Sequence, residues 1–182
     1  SRSPASRRPS KRGGGKVVKE MTLPFPNVEF QPFLTEIASL KPDAVFVFFA
    51  GAGAAKFVSD YAAAGLKNSI PLYGPGFLTD GNLGAMGGAG EGLMTTLHYA
   101  DGLASAKDTA FRTKYAQSFK MQPDVYAVQG YDAAQMYEAG LKAAGGDPAR
   151  KEEVIKGMES AKIDSPRGPF TLSKAHNPVQ DI

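Results

Sequence analysis

The chain has 182 residues and carries 21 Lys and Arg, 18 Asp and Glu, no Cys and no Trp, with 42% hydrophobic residues. This composition predicts about one globular domain and excludes collagen, a coiled coil and general disorder. No uncharged stretch is longer than that of residues 44–55, well short of the roughly 20 apolar residues that span a membrane. The absence of Cys excludes disulfides, thiolate nucleophiles and Cys-based metal sites.

Charge is divided unevenly along the chain. The net charge is +3, but residues 1–16 hold six Arg and Lys and no acidic residue, which leaves 15 basic against 18 acidic residues, or −3, in the remainder. Residues 1–15 are polar, end in three Gly and lack an apolar signal-peptide segment, so they are predicted to be a disordered basic tail. Such a tail is either an arm for an anionic partner or a solvated leader. It has no aromatic side chain to stack on a base, so no nucleic-acid partner is predicted.

Strand and helix patterns alternate from residue 16 to residue 97. The run of residues 44–49 is rich in Val and Phe, which is typical of a strand buried on both faces. Apolar stripes predict one helix before this run and one after it. The alternation predicts an α/β fold, a parallel sheet with helices on both faces. The predicted strands are residues 16–23, 44–49, 70–73 and 93–97. The first predicted helix lies within residues 33–40, and the second carries Phe57, Val58, Tyr61 and Leu66 on one face and ends near Gly65.

After His98 the pattern changes to helices. Their apolar stripes need a surface that this chain barely supplies. No closing element follows them, so the chain is expected to be a piece of a longer protein. The predicted helices are residues 105–121, 125–143 and 149–161, and only residues 170–172 look extended.

Several short motifs occur in a characteristic order. They are Lys41-Pro42-Asp43-Ala44-Val45, Gly74-Pro75, Gly90-Glu91-Gly92-Leu93, Pro123-Asp124-Val125-Tyr126 and Gly130-Tyr131-Asp132-Ala133. Together they resemble the type I periplasmic binding proteins, specifically the branched-chain amino acid receptors of ABC transporters. The resemblance covers residues 11–182.

The resemblance implies two α/β lobes around a ligand cleft. Residues 16–98 would form the second lobe, and residues 99–182 a partial, mostly helical first lobe. The implied function is a solute-binding receptor in the periplasm, with a small carboxylate ligand and the membrane subunits of an ABC importer as partners. A missing lobe, or self-association, would cover the exposed helices. Two alternatives stay open: the ligand-sensing domain of a regulator, and a structural fragment that binds no ligand.

Ligands of open parallel sheets bind at the carboxyl ends of the strands, where the loops converge. Glycines in these loops let a ligand approach the backbone, although they equally suit a tight turn. An aromatic at the start of the long helix is a family contact position, although it equally suits a helix core. The candidate ligand-binding residues are Gly51, Ala52, Gly53, Gly76, Phe77, Asp80, His98 and Tyr126.

The ligand chemistry depends on three of these positions. The resemblance places a carboxylate that pairs with the ligand's ammonium group at Gly76, and a bulky aromatic contact at Ala52. This chain has glycine and alanine at these two positions instead. Both differences favour an aromatic acid over a branched-chain amino acid, because a buried ammonium group needs a counter-charge and a smaller residue at position 52 leaves more room. Asp80 is the candidate to replace the lost carboxylate if the ligand is an amino acid.

Enzyme signatures are incomplete. Residues 51–56 resemble a dinucleotide fingerprint, but Lys56 stands where the third small residue belongs. Phosphate-binding, nucleophile-elbow and zinc-protease motifs do not occur. His98 and His176 have no metal-ligand spacing. The sequence therefore predicts no enzyme, no cofactor and no metal.

Overall fold

The computed structural model describes residues 14–24, 28–100 and 102–180, so the predicted tail lies mostly outside the described residues. The described part is mixed α/β with a parallel sheet, which confirms the predicted class, although Phe46, Phe48 and Met94 leave one sheet face exposed where helices were predicted on both. Its helices are α1 (Gln31–Leu40), α2 (Gly51–Ala63), α3 (Leu83–Met86), α4 (Ala106–Phe119), α5 (Val125–Ala143) and α6 (Lys151–Glu159), and its strands are β1 (Val45–Phe46), β2 (Leu72–Pro75), β3 (Met94–Thr96), β4 (Thr171–Leu172) and β5 (Pro178–Val179).

The three strands β1, β2 and β3 form one parallel sheet in that spatial order. Phe46 of β1 is the register partner of Tyr73 in β2, which in turn is the partner of Met94 in β3. Because strands in a parallel sheet run in one direction, the loops that follow all three strands meet at one edge.

Helices α1 and α2 pack on one face of this sheet. Helix α1 has Pro at its N-terminal end, and ends where Lys41 adopts a left-handed conformation and donates its backbone N–H to the Ile37 carbonyl. Tyr61 in α2 donates its hydroxyl to the Ile70 carbonyl at 2.9 Å, which ties this helix to the start of β2. Burial raises the pKa of Tyr61 to about 12. The core between these elements comprises Phe30, Leu34, Ile37, Ala54, Ala55, Phe57, Val58, Tyr61, Leu66, Ile70, Leu72, Leu78 and Met86.

A second, smaller core lies where the chain leaves the sheet. Buried Tyr99, Val125 and Val128 form it, and Phe77, Leu97 and Phe111 pack against them. Tyr99 donates its hydroxyl to Asp108 Oδ1 at 2.8 Å, which fixes the segment after β3 to helix α4. This core therefore joins the sheet loops to the helices that follow them.

Helices α5 and α6 cross at two glycines. A Cβ built on Gly157 would lie 2.9 Å from the Cα of Gly140, and a Cβ on Gly140 would lie 2.7 Å from the Val154 carbonyl oxygen. Only hydrogen at these two positions allows the helix backbones to approach this closely.

A buried ion pair fastens the C-terminal segment to α5. Arg167 Nε donates to Asp132 Oδ2 at 2.8 Å, and both side chains are less than one-tenth exposed. Ser165 donates to the same carboxylate oxygen at 2.9 Å. The Arg167 guanidinium also lies 4.1 Å from the centre of the Phe170 ring.

Three local expectations differ from the structure. Residues 16–23, predicted as a strand, are extended but form no strand ladder among the described residues. Residues 44–49, predicted to be buried on both faces, are half-buried on one face and exposed on the other: Phe46 is 73% exposed and Phe48 67%. The extended residues near 171 pair with β5 in an antiparallel hairpin that the sequence pattern did not indicate.

Candidate functional site

The candidate site lies at the carboxyl edge of the parallel sheet. Gly51 and Ala52 begin helix α2 shortly after β1, and both are exposed. Gly76 and Phe77 follow β2 directly, in a single turn of 3₁₀ helix. His98 follows β3. Since β1, β2 and β3 are adjacent and parallel, these residues come together along one edge, as ligand-binding loops do in open α/β sheets.

The first turn of α2 offers backbone donors at this edge. Its N-cap, Ala50, has an extended conformation and no side chain that could cap the helix. Gly51 has a φ of +59°, a conformation that L side chains rarely adopt. The leading N–H groups of a helix have no partner within the helix and favour negative charge. This arrangement suits a carboxylate.

Aromatic rings line the same edge. Phe77 stacks on Tyr126, with ring centres 5.8 Å apart and planes 28° from parallel. The ring centre of Phe48, near the end of the apolar run that contains β1, lies 6.1 Å from that of Phe77. Tyr126 comes from the first turn of α5, so the stack joins the sheet to the helices beyond it. Tyr126 is 48% exposed, which leaves ring surface open to a ligand.

Phe48 is absent from the residues predicted from the sequence. Residues 44–49 are apolar throughout, so their pattern does not distinguish the exposed face, which carries Phe46 and Phe48, from the half-buried face.

Gly76 is held against Leu97. A Cβ built on Gly76 would lie 2.5 Å from the Leu97 Cβ, a separation that real side chains essentially never show. Position 76 therefore has no room for the carboxylate that the resemblance places there unless Leu97 moves.

Asp80 is directed at helix α5. Its Oδ2 accepts the backbone N–H of Val125 at 2.7 Å, and Asp124 Oδ1 accepts that of Ala127 at 2.9 Å. Two carboxylates thus cap the N-terminus of this helix, one from within it and one from a loop 45 residues earlier. Asp80 is part of a link between the sheet and α5, and at least one of its oxygens is engaged there.

His98 sits at the edge of the second core. Its Nε2 lies 3.2 Å from Gln129 Nε2, and its backbone carbonyl accepts a hydrogen bond from Gln180 Nε2 at 2.9 Å. Burial lowers the pKa of His98, and the positive charge of Arg167 lowers it further, against the opposite effect of Asp132. An amide nitrogen can only donate, so His98 Nε2 is the acceptor of this contact when the ring is neutral with its proton on Nδ1.

The structure thus draws Phe77 and Tyr126 into direct contact, whereas Asp80 and His98 bind protein groups instead of pointing freely into the edge. Among the described residues no group of His, Asp and Glu is arranged to hold a metal ion. In the same part of the chain, no helix has the length and apolar character needed to cross a membrane.

Comparison with known proteins places this arrangement in a family. The model of a family described as periplasmic binding protein matches residues 3–182. The chain belongs to this family. A comparison with curated protein sequences gives no match.

Solved structures of periplasmic binding proteins resemble the chain over most of its length. A solute-binding protein of an ABC transporter from R. palustris, in complex with benzoate, is 56% identical with a TM-score of 0.87; the match covers 93% of this chain and 47% of that one. A second, from Rhodopseudomonas palustris BisB5 with 3,4-dihydroxybenzoic acid, is 35% identical with a TM-score of 0.81, covering 91% and 46%. A third, from R. palustris with 4-hydroxybenzoate, is 27% identical with a TM-score of 0.83, covering 91% and 46%. The chain spans about half the length of these structures.

Proposed function

We propose that this chain forms part of a solute-binding receptor of an ABC importer and that its sheet edge contributes one side of a cleft for a small aromatic carboxylate. The observation that carries the proposal is the stack of Phe77 on Tyr126, next to a Gly76 that cannot bear a side chain. A planar ring fits against such a stack, because aromatic rings favour offset-stacked and edge-to-face contacts.

The charges at this edge favour an acid without an ammonium group. The N-terminus of α2 offers uncapped N–H groups to a carboxylate. An ammonium group would need a buried counter-charge. Gly76 has no side chain to supply one, and the Asp80 carboxylate accepts the backbone N–H of Val125. The benzoate, 4-hydroxybenzoate and 3,4-dihydroxybenzoic acid in the related structures are acids of the favoured type.

The mechanism is closure of two lobes around the ligand. A ligand that touches both sides at once stabilises the closed state by its differential affinity for that state. Phe77 follows strand β2 and Tyr126 lies in the first turn of α5, so a ligand ring inserted beside them would contact both the sheet and the helices. The receptor would act in the periplasm and deliver its ligand to the membrane subunits of the importer, without catalysis or cofactor. The exposed helices would contact a further lobe or a second copy.

Ligand titration of a chimera tests this proposal. In the chimera, this chain replaces the matching part of the benzoate-bound R. palustris protein, and calorimetry compares benzoate with leucine. We expect benzoate to bind and leucine to bind at least 100-fold more weakly. Tight leucine binding that Asp80→Asn abolishes would overturn the aromatic-acid preference.

A matched pair of tyrosines tests the site. Tyr126 and Tyr137 lie on the same helix and are each 48% exposed, but only Tyr126 stacks on Phe77. Tyr126→Ala should weaken benzoate binding about 10-fold, as expected for loss of about 1.4 kcal/mol of ring contact, whereas Tyr137→Ala should not change it. Equal effects of the two substitutions would contradict the assignment of the site.

A further inference from the structure

A closed circuit of polar contacts lies beside the candidate site and includes the turn of α5 that follows Tyr126. It joins α5 to the segment after β3 and to the C-terminal segment. The polar circuit consists of Gln129 and Asp132 of α5, His98 after β3, and Arg167 and Gln180 of the C-terminal segment. Gln129 and Asp132 are three residues apart on one side of the helix, so the circuit begins and ends on α5.

The Gln180 amide is the adaptor of the polar circuit. Its Nε2 donates to the His98 backbone carbonyl at 2.9 Å, and its Oε1 accepts from the Arg167 guanidinium. Because a carbonyl only accepts and a guanidinium only donates, the two ends of this amide cannot be exchanged. Arg167 in turn pairs with Asp132, and both side chains are less than one-tenth exposed. A carboxylate in place of the amide could satisfy Arg167 but not the His98 carbonyl.

His98 is the member of the polar circuit whose charge can change near neutral pH. The neutral imidazole accepts the Gln129 amide N–H at Nε2, 3.2 Å away. Protonation would make Nε2 a donor as well, so two donors would face each other unless the Gln129 amide turned over. The charged groups that face the imidazole, among the described residues, are Arg167 and Asp132. Burial and the Arg167 charge lower the pKa of His98, and the Asp132 charge opposes them.

The polar circuit acts on the part of α5 that presents the aromatic stack. Gln129 follows Tyr126 by three residues, which is less than one helical turn. Asp80 ties the start of this helix to the sheet through the Val125 N–H, and the polar circuit supplies a second tie one turn later. Two ties at different points around a helix fix its rotation about its own axis. A change in that rotation would move the Tyr126 ring relative to Phe77, on which it stacks.

We propose that the polar circuit is a proton-sensitive clamp that positions Tyr126 for the ligand. The clamp is closed while the His98 imidazole is neutral, and protonation opens it between His98 and Gln129. Gln180 and His98 are then positioning residues, because they act on the ligand through α5. The inference rests on the proposed function of the sheet edge and adds to it a dependence of ligand affinity on pH.

NMR titration of the His98 imidazole tests the polar circuit without any ligand. Gln180→Glu keeps an acceptor for Arg167 but puts a negative charge in place of the donor to the His98 carbonyl. It should raise the titration midpoint of His98 by about 0.5 pH or more, because a nearby negative charge favours the protonated imidazole. Gln135→Glu makes the same change on α5, where Gln135 bonds the backbone of Asp164 outside the circuit, and should leave the midpoint nearly unchanged. Equal midpoints in the Gln180 variant and the unaltered chain would overturn the inference.

Benzoate titration of the chimera across pH tests the positioning of Tyr126. Corrected for the ionisation of benzoate itself, the affinity should be about twofold lower at the His98 midpoint than at about pH 8, and about fourfold lower at about 0.5 pH below the midpoint. His98→Gln keeps an acceptor for Gln129 and does not titrate, so its affinity should stay constant over this range. In Gln180→Glu the loss should begin at a higher pH, together with the NMR midpoint.

Removal of the positioned ring separates positioning from a general loss of structure. Tyr126→Ala should bind benzoate more weakly at every pH and lose the pH dependence, since no ring remains to be moved. A loss of affinity in acid that persists in Tyr126→Ala or in His98→Gln would overturn the clamp and leave the benzoate site in place. An affinity of the unaltered chimera that stays constant or rises through the His98 midpoint would overturn it equally. Absence of benzoate binding at every pH would instead overturn the proposed function, and the clamp with it.

Discussion

Asp80 Oδ2 accepts the backbone N–H of Val125 at 2.7 Å, a contact that joins a loop of the sheet to the first turn of a 19-residue helix. The contact satisfies a helix N–H that has no partner within the helix and places a negative charge at the positive end of the helix dipole. Asp80 thus holds α5, and with it Tyr126, against the sheet edge.

Substitution of Asp80 tests the capping contact. Asp80→Ala should lower the free energy of unfolding by about 1–2 kcal/mol, as for loss of a charged cap. Asp80→Asn keeps an acceptor and loses the charge, so it should cost only about 0.3–1 kcal/mol. Urea denaturation at constant m-value measures both. The control is Asp43→Ala, on an exposed loop residue, and a loss as small as that of the control would refute the capping role.

The contact between Gly76 and Leu97 predicts a steric penalty. Gly76→Ala should destabilise the protein by about 1–3 kcal/mol, because the added methyl group overlaps Leu97. Gly130→Ala is the control: Gly130 lies within α5 with open space around it, and alanine there should stabilise by about 0.5–1 kcal/mol. If the contact is the cause, Gly76→Ala combined with Leu97→Gly, which removes the Leu97 Cβ, should cost less than the sum of the two single changes.

The buried pair of Asp132 and Arg167 predicts a large loss. Asp132→Ala leaves the Arg167 guanidinium buried without its counter-charge, which should cost about 3–5 kcal/mol. Glu138→Ala on the same helix removes an exposed pair with Lys142 and should leave the urea midpoint unchanged. Comparable losses in the two variants would show that burial does not set the strength of the Asp132 contact.

His98 predicts a pH dependence below neutrality. Because burial lowers its pKa in the folded protein, the unfolded chain binds a proton first as the pH falls. The contribution of His98 to stability is therefore full above about pH 6.5, the value of an unperturbed His, and is lost as the pH falls toward its folded pKa. NMR titration of the ring should give a midpoint below 6.5, and His98→Asn should reduce the loss of stability between pH 6.5 and about 5. A midpoint above 6.5 would contradict this environment.

Local patterns in the sequence predicted the helices well, but they predicted poorly which strands pair and which distant residues touch. The predicted bounds of α5 agree with the observed Val125–Ala143, because Asp124 is a cap that acts within one turn. The segment at residues 16–23 was predicted as a strand, but a strand also needs a hydrogen-bonded neighbour, which the local sequence does not specify. The contact of Asp80 with Val125 spans 45 residues for the same reason. Phe77 and Tyr126 were chosen separately as site residues, and only the fold shows that their rings touch.

The contact of Gly76 with Leu97 also constrains how specificity can change over time. A protein with this edge cannot acquire an acidic side chain at position 76 in one step, because the overlap with Leu97 would destabilise the fold of the single variant. Replacement of Leu97 by glycine, or a backbone shift that moves its Cβ away, would have to come first, at the cost of a gap in the second core. The two positions are therefore expected to change together among descendants that switch between ligands with and without an ammonium group, a form of epistasis imposed by a single packing contact.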